Sequence, residues 1–175
     1  MKNNKASSPK DNLVNEYIKY SKDVFLPLYC KLFNIILETG IVPDIWCTGV
    51  ILPIYKKKGD ASNPDNYRGI TILSCLGKLF TSVLNNRSNT FLENTGLLAE
   101  EQAGFRKNYS TVDHIFSLKM LIDIYLSKKK RLYCSFIDYQ KAFDSINRTA
   151  LWRKLLDHNV DGNALRVIHN IYDKD

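Results

Sequence analysis

The chain has 175 residues, the size expected of one domain or one lobe of a larger domain. Hydrophobic residues make up 45% of it, too many for a disordered chain, yet no apolar run reaches the roughly 18 residues of a membrane span or forms a signal segment. The formal charge of +7 fits a polyanionic partner, although many proteins that bind no nucleic acid are equally basic.

The first helix is predicted over residues 24–37, where apolar residues recur near helical spacing. Gly40 and Pro43 follow this segment, and both residue types are typical of a helix end. The first twelve residues are polar.

Two strands are predicted to pair as a hairpin. Residues 46–55 and 67–73 are rich in β-branched and aromatic side chains, and turn-forming residues separate them. Pairing would bring the lysine run at 56–58 close to Arg68. Ammonium groups and a guanidinium fork in that arrangement suit a polyphosphate, whereas the commoner interpretation of such charges is a solvated loop tip.

Two further helices are predicted in the middle of the chain. The apolar spacing over residues 76–91 indicates a helix that ends before Gly96. Ser110 and Asp113 have the spacing of a capping box, which would begin a helix over residues 115–126.

The last part of the chain is predicted to hold a third strand and two helices. Residues 132–138 indicate the strand, residues 151–156 indicate one helix, and Asp161 is placed to cap the other. The residues predicted to be buried by the last helix are Leu165, Ile168 and Tyr172. Because helices and strands mix without regular βαβ alternation, the sequence predicts an α+β fold.

The cysteines do not indicate a structural zinc site. Cys30, Cys47, Cys75 and Cys134 have no C-x-x-C spacing and do not cluster with the three histidines. We therefore expect reduced core thiols in an intracellular protein of the nucleus or the cytoplasm.

An aspartate at the end of the third predicted strand is the first candidate for chemistry. The run Phe136-Ile137-Asp138 places a carboxylate at a strand end, where it can bind Mg²⁺ together with substrate phosphates and water. By composition alone, an aspartate in this position is more often a turn former or a helix cap. Phe143 follows five residues later, and it is either a wall for a nucleotide sugar or a core phenylalanine.

A second candidate is the block from Gln102 to Lys107. It combines an amide in Gln102, a glycine in Gly104, an aromatic ring in Phe105 and two cations. This set suits the backbone and bases of a nucleic acid, and the alternative is an ordinary turn.

Taken together and in this order, the blocks resemble the reverse transcriptases of non-LTR (LINE-type) retrotransposons. The resemblance covers nearly the whole chain, and it runs through residues 3–9 and 15–19, Pro53-Ile54-Tyr55-Lys56-Lys57-Lys58-Gly59-Asp60, Asn66-Tyr67-Arg68-Gly69-Ile70, Gln102-Ala103-Gly104-Phe105-Arg106 and Phe136-Ile137-Asp138 with Ala142-Phe143-Asp144. The lysine run is one residue longer than the commonest family pattern, so more than one lysine can be matched to the family's phosphate-binding position.

The resemblance implies a role for each matching position. Asp138 would be the first catalytic carboxylate and a Mg²⁺ ligand, with the backbone carbonyl of Tyr139 as a second ligand. The residues implied to bind the incoming nucleotide are Lys56, Lys57, Arg68, Tyr139 and Phe143, of which Phe143 would crowd the sugar 2′ position. The residues implied to contact the template or primer strand are Gln102, Gly104, Phe105 and Arg106.

The resemblance also implies a partial right-hand polymerase fold, helix-rich with a small antiparallel sheet. Residues 1–20 would be a polar N-terminal segment of the fingers extension, residues 21–131 the fingers, and residues 132–175 the incomplete beginning of the palm. The implied ligands of the whole polymerase are an RNA template, a DNA primer, deoxynucleoside triphosphates and Mg²⁺, with no membrane.

Family members carry, further downstream, a Tyr-x-Asp-Asp block with the remaining metal carboxylates, whereas this sequence contains no Asp-Asp pair. We therefore expect a fragment of an RNA-directed DNA polymerase that is inactive alone and requires the palm and thumb portion in cis or in trans. Two alternatives are a non-catalytic nucleic-acid-binding remnant of a retroelement and a decayed copy without function.

Overall fold

A computed structural model describes residues 2–3, 10–160 and 162–173. Within these residues the chain is helix-rich with a two-stranded antiparallel sheet, which confirms the predicted α+β class. The elements are α1 (Asn15–Tyr20), α2 (Lys22–Thr39), α3 (Asp44–Cys47), β1 (Val50–Tyr55), a 3-10 turn (Pro64–Asn66), β2 (Tyr67–Ile72), α4 (Cys75–Asn94), α5 (Thr111–Ser127), α6 (Arg148–Asp157) and α7 (Gly162–Tyr172). No helix in the described part is long and apolar enough to cross a bilayer. The cap predicted at Asp161 lies outside the described residues.

The chain divides into two compact units. The first unit contains Met1–Arg87 and Trp152–Asp175, and the second contains Ser88–Leu151. This division reflects packing alone. The assignment of residues 21–131 to fingers and of residues 132–175 to a palm therefore stays a prediction.

The core of the first unit is built by α2, α3, α4 and α7. Its buried members are Ile36, Val42, Trp46, Cys47, Phe80, Leu84 and Val167. Phe80 lies at its centre, with its ring centroid 5.1 Å from that of Phe33 and 5.6 Å from that of Trp46. A Cβ atom at Gly77 would lie 3.0 Å from Cγ of Trp46, so the glycine allows α4 to approach the indole closely.

Helix α2 confirms the first predicted helix. It ends where Gly40 takes a left-handed conformation (φ 75°), and the N–H of Gly40 donates to the carbonyl of Ile36 at 2.8 Å. The predicted apolar stripe is buried only near this end, because Ile36 lies in the core whereas Val24 and Leu28 are exposed.

The predicted hairpin is confirmed, with one correction to its first strand. β1 and β2 pair from Val50–Ile72 through Ile54–Arg68 to Tyr55–Tyr67. The strand begins at Val50 and not at Trp46. Trp46 lies in α3, where its indole packs against the core, and Pro43 sets the backbone immediately before that helix (φ −58°).

The third strand predicted over residues 132–138 is absent, and this prediction was wrong. The segment has no regular secondary structure, and Tyr133, Phe136 and Ile137 are 83%, 82% and 78% exposed. A strand persists only where its backbone N–H and C=O groups find a neighbouring strand. In the described residues the one ladder is already formed between β1 and β2.

The burial predicted for the last helix also needs correction. In α7 the fully buried side chain is Val167, which joins the core with Ile36 and Trp46. Leu165 and Ile168 are half-buried, whereas Tyr172 is exposed. Tyr172 instead packs its ring against Trp152 of α6, with the centroids 5.8 Å apart.

The capping box predicted for α5 is confirmed. The backbone N–H of Ser110 donates to Oδ2 of Asp113 at 2.7 Å, and the Ser110 hydroxyl donates to the same oxygen at 3.0 Å. These bonds favour the ionised carboxylate, so they lower the pKa of Asp113. The box holds the N-terminus of a helix that has no buried residue of its own.

The cysteines follow the prediction only in part. All four are free, and Cys47 and Cys75 are buried, whereas Cys30 and Cys134 are exposed. Burial raises the pKa of the Cys75 thiol, as expected of an unreactive core thiol. Cys134 lies in the segment predicted to be the third strand. It is exposed because that segment forms no strand.

Candidate functional site

The tip of the β1–β2 hairpin is a loop fixed by its own hydrogen bonds. The N–H of Lys56 donates to the carbonyl of Asn66 at 2.8 Å, which extends the ladder by one step beyond Tyr55–Tyr67. The Asn66 side chain donates to the carbonyl of Asp60 at 2.7 Å, and the Tyr67 hydroxyl donates to that of Ala61 at 2.9 Å. Such internal bonding gives the tip a defined shape.

The cations of this tip are not equivalent. Nζ of Lys56 donates to the carbonyl of Asp65 at 2.7 Å, so its ammonium helps to close the loop. Lys57 follows with a left-handed backbone (φ 57°), and Lys57, Lys58 and Arg68 are exposed. Arg68 stands opposite Ile54, two residues before Lys56. The predicted proximity of the lysine run to Arg68 is therefore confirmed.

In the second unit, the block at 102–109 forms a turn centred on Arg106. The guanidinium makes a two-pronged ion pair with Glu93, from Nε to Oε1 at 2.9 Å and from Nη2 to Oε2 at 2.7 Å. Nη1 donates to the carbonyl of Ala99 at 2.9 Å, and the guanidinium carbon lies 4.3 Å from the ring centroid of Tyr109. Hydrogen bonding from Arg106 lowers the pKa of Glu93.

The aromatic residue of the same turn points into solvent. Phe105 is 87% exposed, and its ring meets that of Phe143 edge to face, with centroids 6.0 Å apart and planes at 83°. Both residues were predicted from the sequence to lie in the site. Phe105 was expected to contact the template or primer strand, and Phe143 was expected to contact the sugar of the nucleotide. The structure brings these two rings together.

Two other residues of the block, Gln102 and Gly104, contact each other. The side-chain amide of Gln102 donates to the carbonyl of Gly104 at 3.2 Å. A Cβ at Gly104 would lie 3.2 Å from that amide nitrogen, so a side chain there would require the Gln102 amide to shift.

Asp138 and Tyr139 lie in the irregular segment that precedes the turn at residues 140–145, and both are exposed. The described residues contain no group of three or more His, Cys, Asp or Glu side chains that could hold a metal ion. Mg²⁺ in phosphoryl-transfer sites needs a near-octahedral set of oxygens, of which the protein usually supplies one or two carboxylates. Asp138 and the Tyr139 carbonyl could therefore contribute oxygens to one such ion, and the described residues hold no larger group of ligands for a second ion.

Sequence reasoning missed the two side chains that hold Arg106 in the turn at 102–109. These are Glu93, near the end of α4, and Tyr109. Glu93 lies 13 residues before its partner Arg106, across the end of α4 and Gly96. No rule of local spacing links positions that far apart. The only sequence signal was the Arg106–Tyr109 spacing, which does not distinguish a stacked pair from an ordinary turn.

Comparison with known proteins shows which family the sequence resembles. The family described as reverse transcriptase (RNA-dependent DNA polymerase) matches residues 55–174. A probable RNA-directed DNA polymerase from transposon BS of Drosophila melanogaster is 34% identical over 155 residues, which is 86% of this chain. The RNA-directed DNA polymerase from mobile element jockey and the probable RNA-directed DNA polymerase from transposon X-element, both of the same species, are 28% and 29% identical over 81% and 87% of this chain.

The chain spans only about a sixth of these curated relatives, since the matched part covers 17%, 16% and 17% of their lengths. The family match begins at Tyr55, at the end of β1, and takes in the hairpin tip, the Arg106 turn and Asp138. The predicted resemblance to non-LTR retrotransposon enzymes is thereby confirmed, and the chain belongs to the reverse transcriptase family.

Proposed function

We propose that this chain is the fingers and the first palm motif of an RNA-directed DNA polymerase with a partial right-hand fold. In this proposal it binds the template, the primer and the triphosphate, and it carries out no nucleotidyl transfer alone. The observation that carries the proposal is the exposed basic tip of the β1–β2 hairpin, which lies within the segment matched by the family.

The triphosphate is proposed to lie against the hairpin tip. Because the ammonium of Lys56 already donates to the Asp65 carbonyl, Lys57 is the better candidate for a phosphate contact, with Lys56 holding the loop in shape. The Arg68 guanidinium supplies a fork that matches phosphate oxygens. Because the backbone of the loop at Lys57 and of strand β2 at Arg68 is already held by hydrogen bonds, binding need not order it, which favours affinity.

The nucleotide's sugar and the first catalytic carboxylate are assigned to the segment at 138–143. Phe143 is proposed to pack beside the sugar 2′ position, and Asp138 with the Tyr139 carbonyl is proposed to supply the chain's share of a Mg²⁺ site. Supporting this assignment are the exposure of all three residues and their place within the family match. The remaining ligands must come from another part of the polymerase, in cis or in trans.

Contact with the template or primer strand is assigned to the turn at 102–109. The solvent-facing ring of Phe105 suits base stacking. Gln102 and Gly104 precede it on the same turn. A non-catalytic remnant of a retroelement that only binds nucleic acid would use the same surfaces. The described residues bring no group of three or more potential metal ligands together around Asp138, which favours that alternative if the chain acts alone.

A binding titration across salt concentrations tests the proposal. The logarithm of the affinity of the 175-residue chain for an RNA template annealed to a DNA primer should fall linearly with the logarithm of salt. The expected slope is about −0.7 to −0.9 per phosphate contact, because each contact releases a counterion. A flat response would contradict nucleic-acid binding and leave the decayed copy as the better interpretation.

Replacing Lys57 by glutamine is expected to remove one phosphate contact. With a deoxynucleoside triphosphate as the ligand, the variant should bind more weakly, because one of the cations that face the phosphates is removed. Lys31→Gln is the matched control, because Lys31 is an exposed lysine on α2 in the same unit and the substitution removes the same charge. Equal effects of the two substitutions would show that the general charge matters and the hairpin tip does not.

A further inference from the structure

We infer that Arg106 is a positioning residue: paired with Glu93, it fixes the turn at 102–109 so that Phe105 presents its ring to an unpaired base of a single-stranded nucleic acid. This inference rests on the proposed function and deepens it. The family resemblance implies that Arg106 contacts the template or primer strand directly. In this inference Arg106 acts indirectly, by holding Phe105 in place.

The first support is that the guanidinium is already committed to the protein. Nε and Nη2 donate to the two carboxylate oxygens of Glu93, and Nη1 donates to the Ala99 carbonyl. The Arg106 side chain is only 11% exposed. A phosphate needs the same fork of donors, so it could bind Arg106 only by displacing Glu93.

The second support is the backbone of the turn. Phe105 and Asn108 both take left-handed conformations, with φ of 64° and 68°. Such a conformation is uncommon for a bulky side chain like phenylalanine, and it persists only where the surroundings hold it. Arg106 follows Phe105 directly and ties the turn to the end of α4 through Glu93, so its bonds restrain the backbone next to Phe105.

The third support is an inverted pattern of exposure. The phenylalanine is 87% exposed whereas the arginine beside it is largely covered, the opposite of what their polarities favour. The Phe105 ring meets that of Phe143 edge to face, and Lys107, two residues later in the chain, is exposed. An exposed aromatic ring with an adjacent cation is the arrangement on which single-stranded nucleic acids stack.

The positioning role and a direct phosphate contact predict opposite results for Glu93→Gln. This substitution raises the net charge by one and replaces the two-pronged ion pair of Arg106 by at most one neutral hydrogen bond. If Arg106 gripped a phosphate, the variant would bind at least as tightly as the wild type. If Arg106 positions Phe105, the variant should stack bases less well despite its extra positive charge.

The test uses the whole 175-residue chain and a short single-stranded RNA carrying 2-aminopurine, whose fluorescence falls when the base stacks. We expect the wild type to quench the probe. Glu93→Gln, Arg106→Gln and Arg106→Lys should each lose most of the quench and bind about fivefold more weakly or worse, the loss expected when one stacked base is released. Their salt slopes should stay unchanged, because no phosphate contact is removed.

Lys107→Gln is the matched control, since Lys107 is exposed on the same turn and its replacement removes the same charge as Arg106→Gln. This control should keep the quench while its salt slope becomes shallower by roughly 0.7. Phe105→Ala guards against misfolding as the explanation, because it leaves Arg106 and Glu93 in place and should abolish the quench.

The outcomes separate this inference from the proposed function. A wild-type chain that does not bind the RNA overturns both. Binding without a quench, a quench that survives Phe105→Ala, or Glu93→Gln binding that equals or exceeds the wild type overturns the positioning role alone. Retained quenching in Arg106→Lys together with a lost quench in Lys107→Gln would also contradict it, because Lys107 would then be the residue that matters.

Discussion

Asp138→Asn should lower primer extension by roughly 10²–10³-fold or more in a polypeptide that joins this chain to the downstream palm segment implied by the family resemblance. Asp138 is assigned to the carboxylate set of that site, and the substitution removes the negative charge with which that set would hold Mg²⁺. The rate of single-nucleotide addition on an RNA template, measured with and without the substitution, gives the effect directly.

Asp144→Asn is the matched control for this prediction. Asp144 is also exposed, lies six residues later in the same segment, and undergoes the same loss of charge. Its variant should extend primers within a few-fold of the unsubstituted polypeptide. Equal losses at the two positions would contradict the assignment of Asp138 as the catalytic carboxylate and would indicate that the segment's overall charge matters.

Phe80→Ala is expected to lower the free energy of unfolding of the first unit by about 3–5 kcal/mol, as is usual for deleting a buried aromatic ring. Phe80 is 1% exposed and packs against both Phe33 and Trp46, so its removal leaves a cavity that rigid rings on two sides cannot fill. This loss is a large share of the roughly 5–15 kcal/mol that separates folded domains from unfolded chains.

Urea unfolding followed by tryptophan fluorescence measures this effect, because Trp46 lies against the Phe80 ring. Phe91→Ala is the matched control, since Phe91 lies on the same helix α4 and is 38% exposed. Its midpoint should move much less than that of Phe80→Ala. A Phe80→Ala midpoint close to the wild type would contradict the position of Phe80 at the centre of the core.

The hairpin was predictable because its signals are local. The β-branched residues of β1 and β2 and the turn-forming residues between them indicate the pairing without any distant partner. The end of α2 at Gly40 and the capping box at Ser110 were predictable for the same reason. Each depends on residues within about one helical turn.

The third strand was not predictable, because a strand depends on what lies beside it. Residues 132–138 have the composition of a buried strand, but composition cannot report whether a neighbouring strand is available. The same limit explains Val167 in α7, whose burial depends on α2 and α3 packing against it. Local periodicity identified the helix, while distant segments decided which of its residues are covered.

The candidate site divides in the same way. The basic residues of the hairpin tip and the aromatic rings at 105 and 143 could be chosen from the sequence by their chemistry. The sequence could not show which cations already have partners within the protein. Lys56 donates to the Asp65 carbonyl and Arg106 pairs with Glu93, and both contacts depend on how the loops fold. These two contacts change which cation is offered to a ligand.

The most direct measurement incubates the 175-residue chain with an RNA template, a labelled DNA primer, deoxynucleoside triphosphates and Mg²⁺, and follows retention and primer length in the same sample. A chain that belongs to the polymerase but supplies only part of its catalytic carboxylates should retain the duplex and leave the primer unextended. Template-directed extension that disappears with Asp138→Asn would contradict the incomplete site. Failure to retain the duplex at low salt would contradict the binding role.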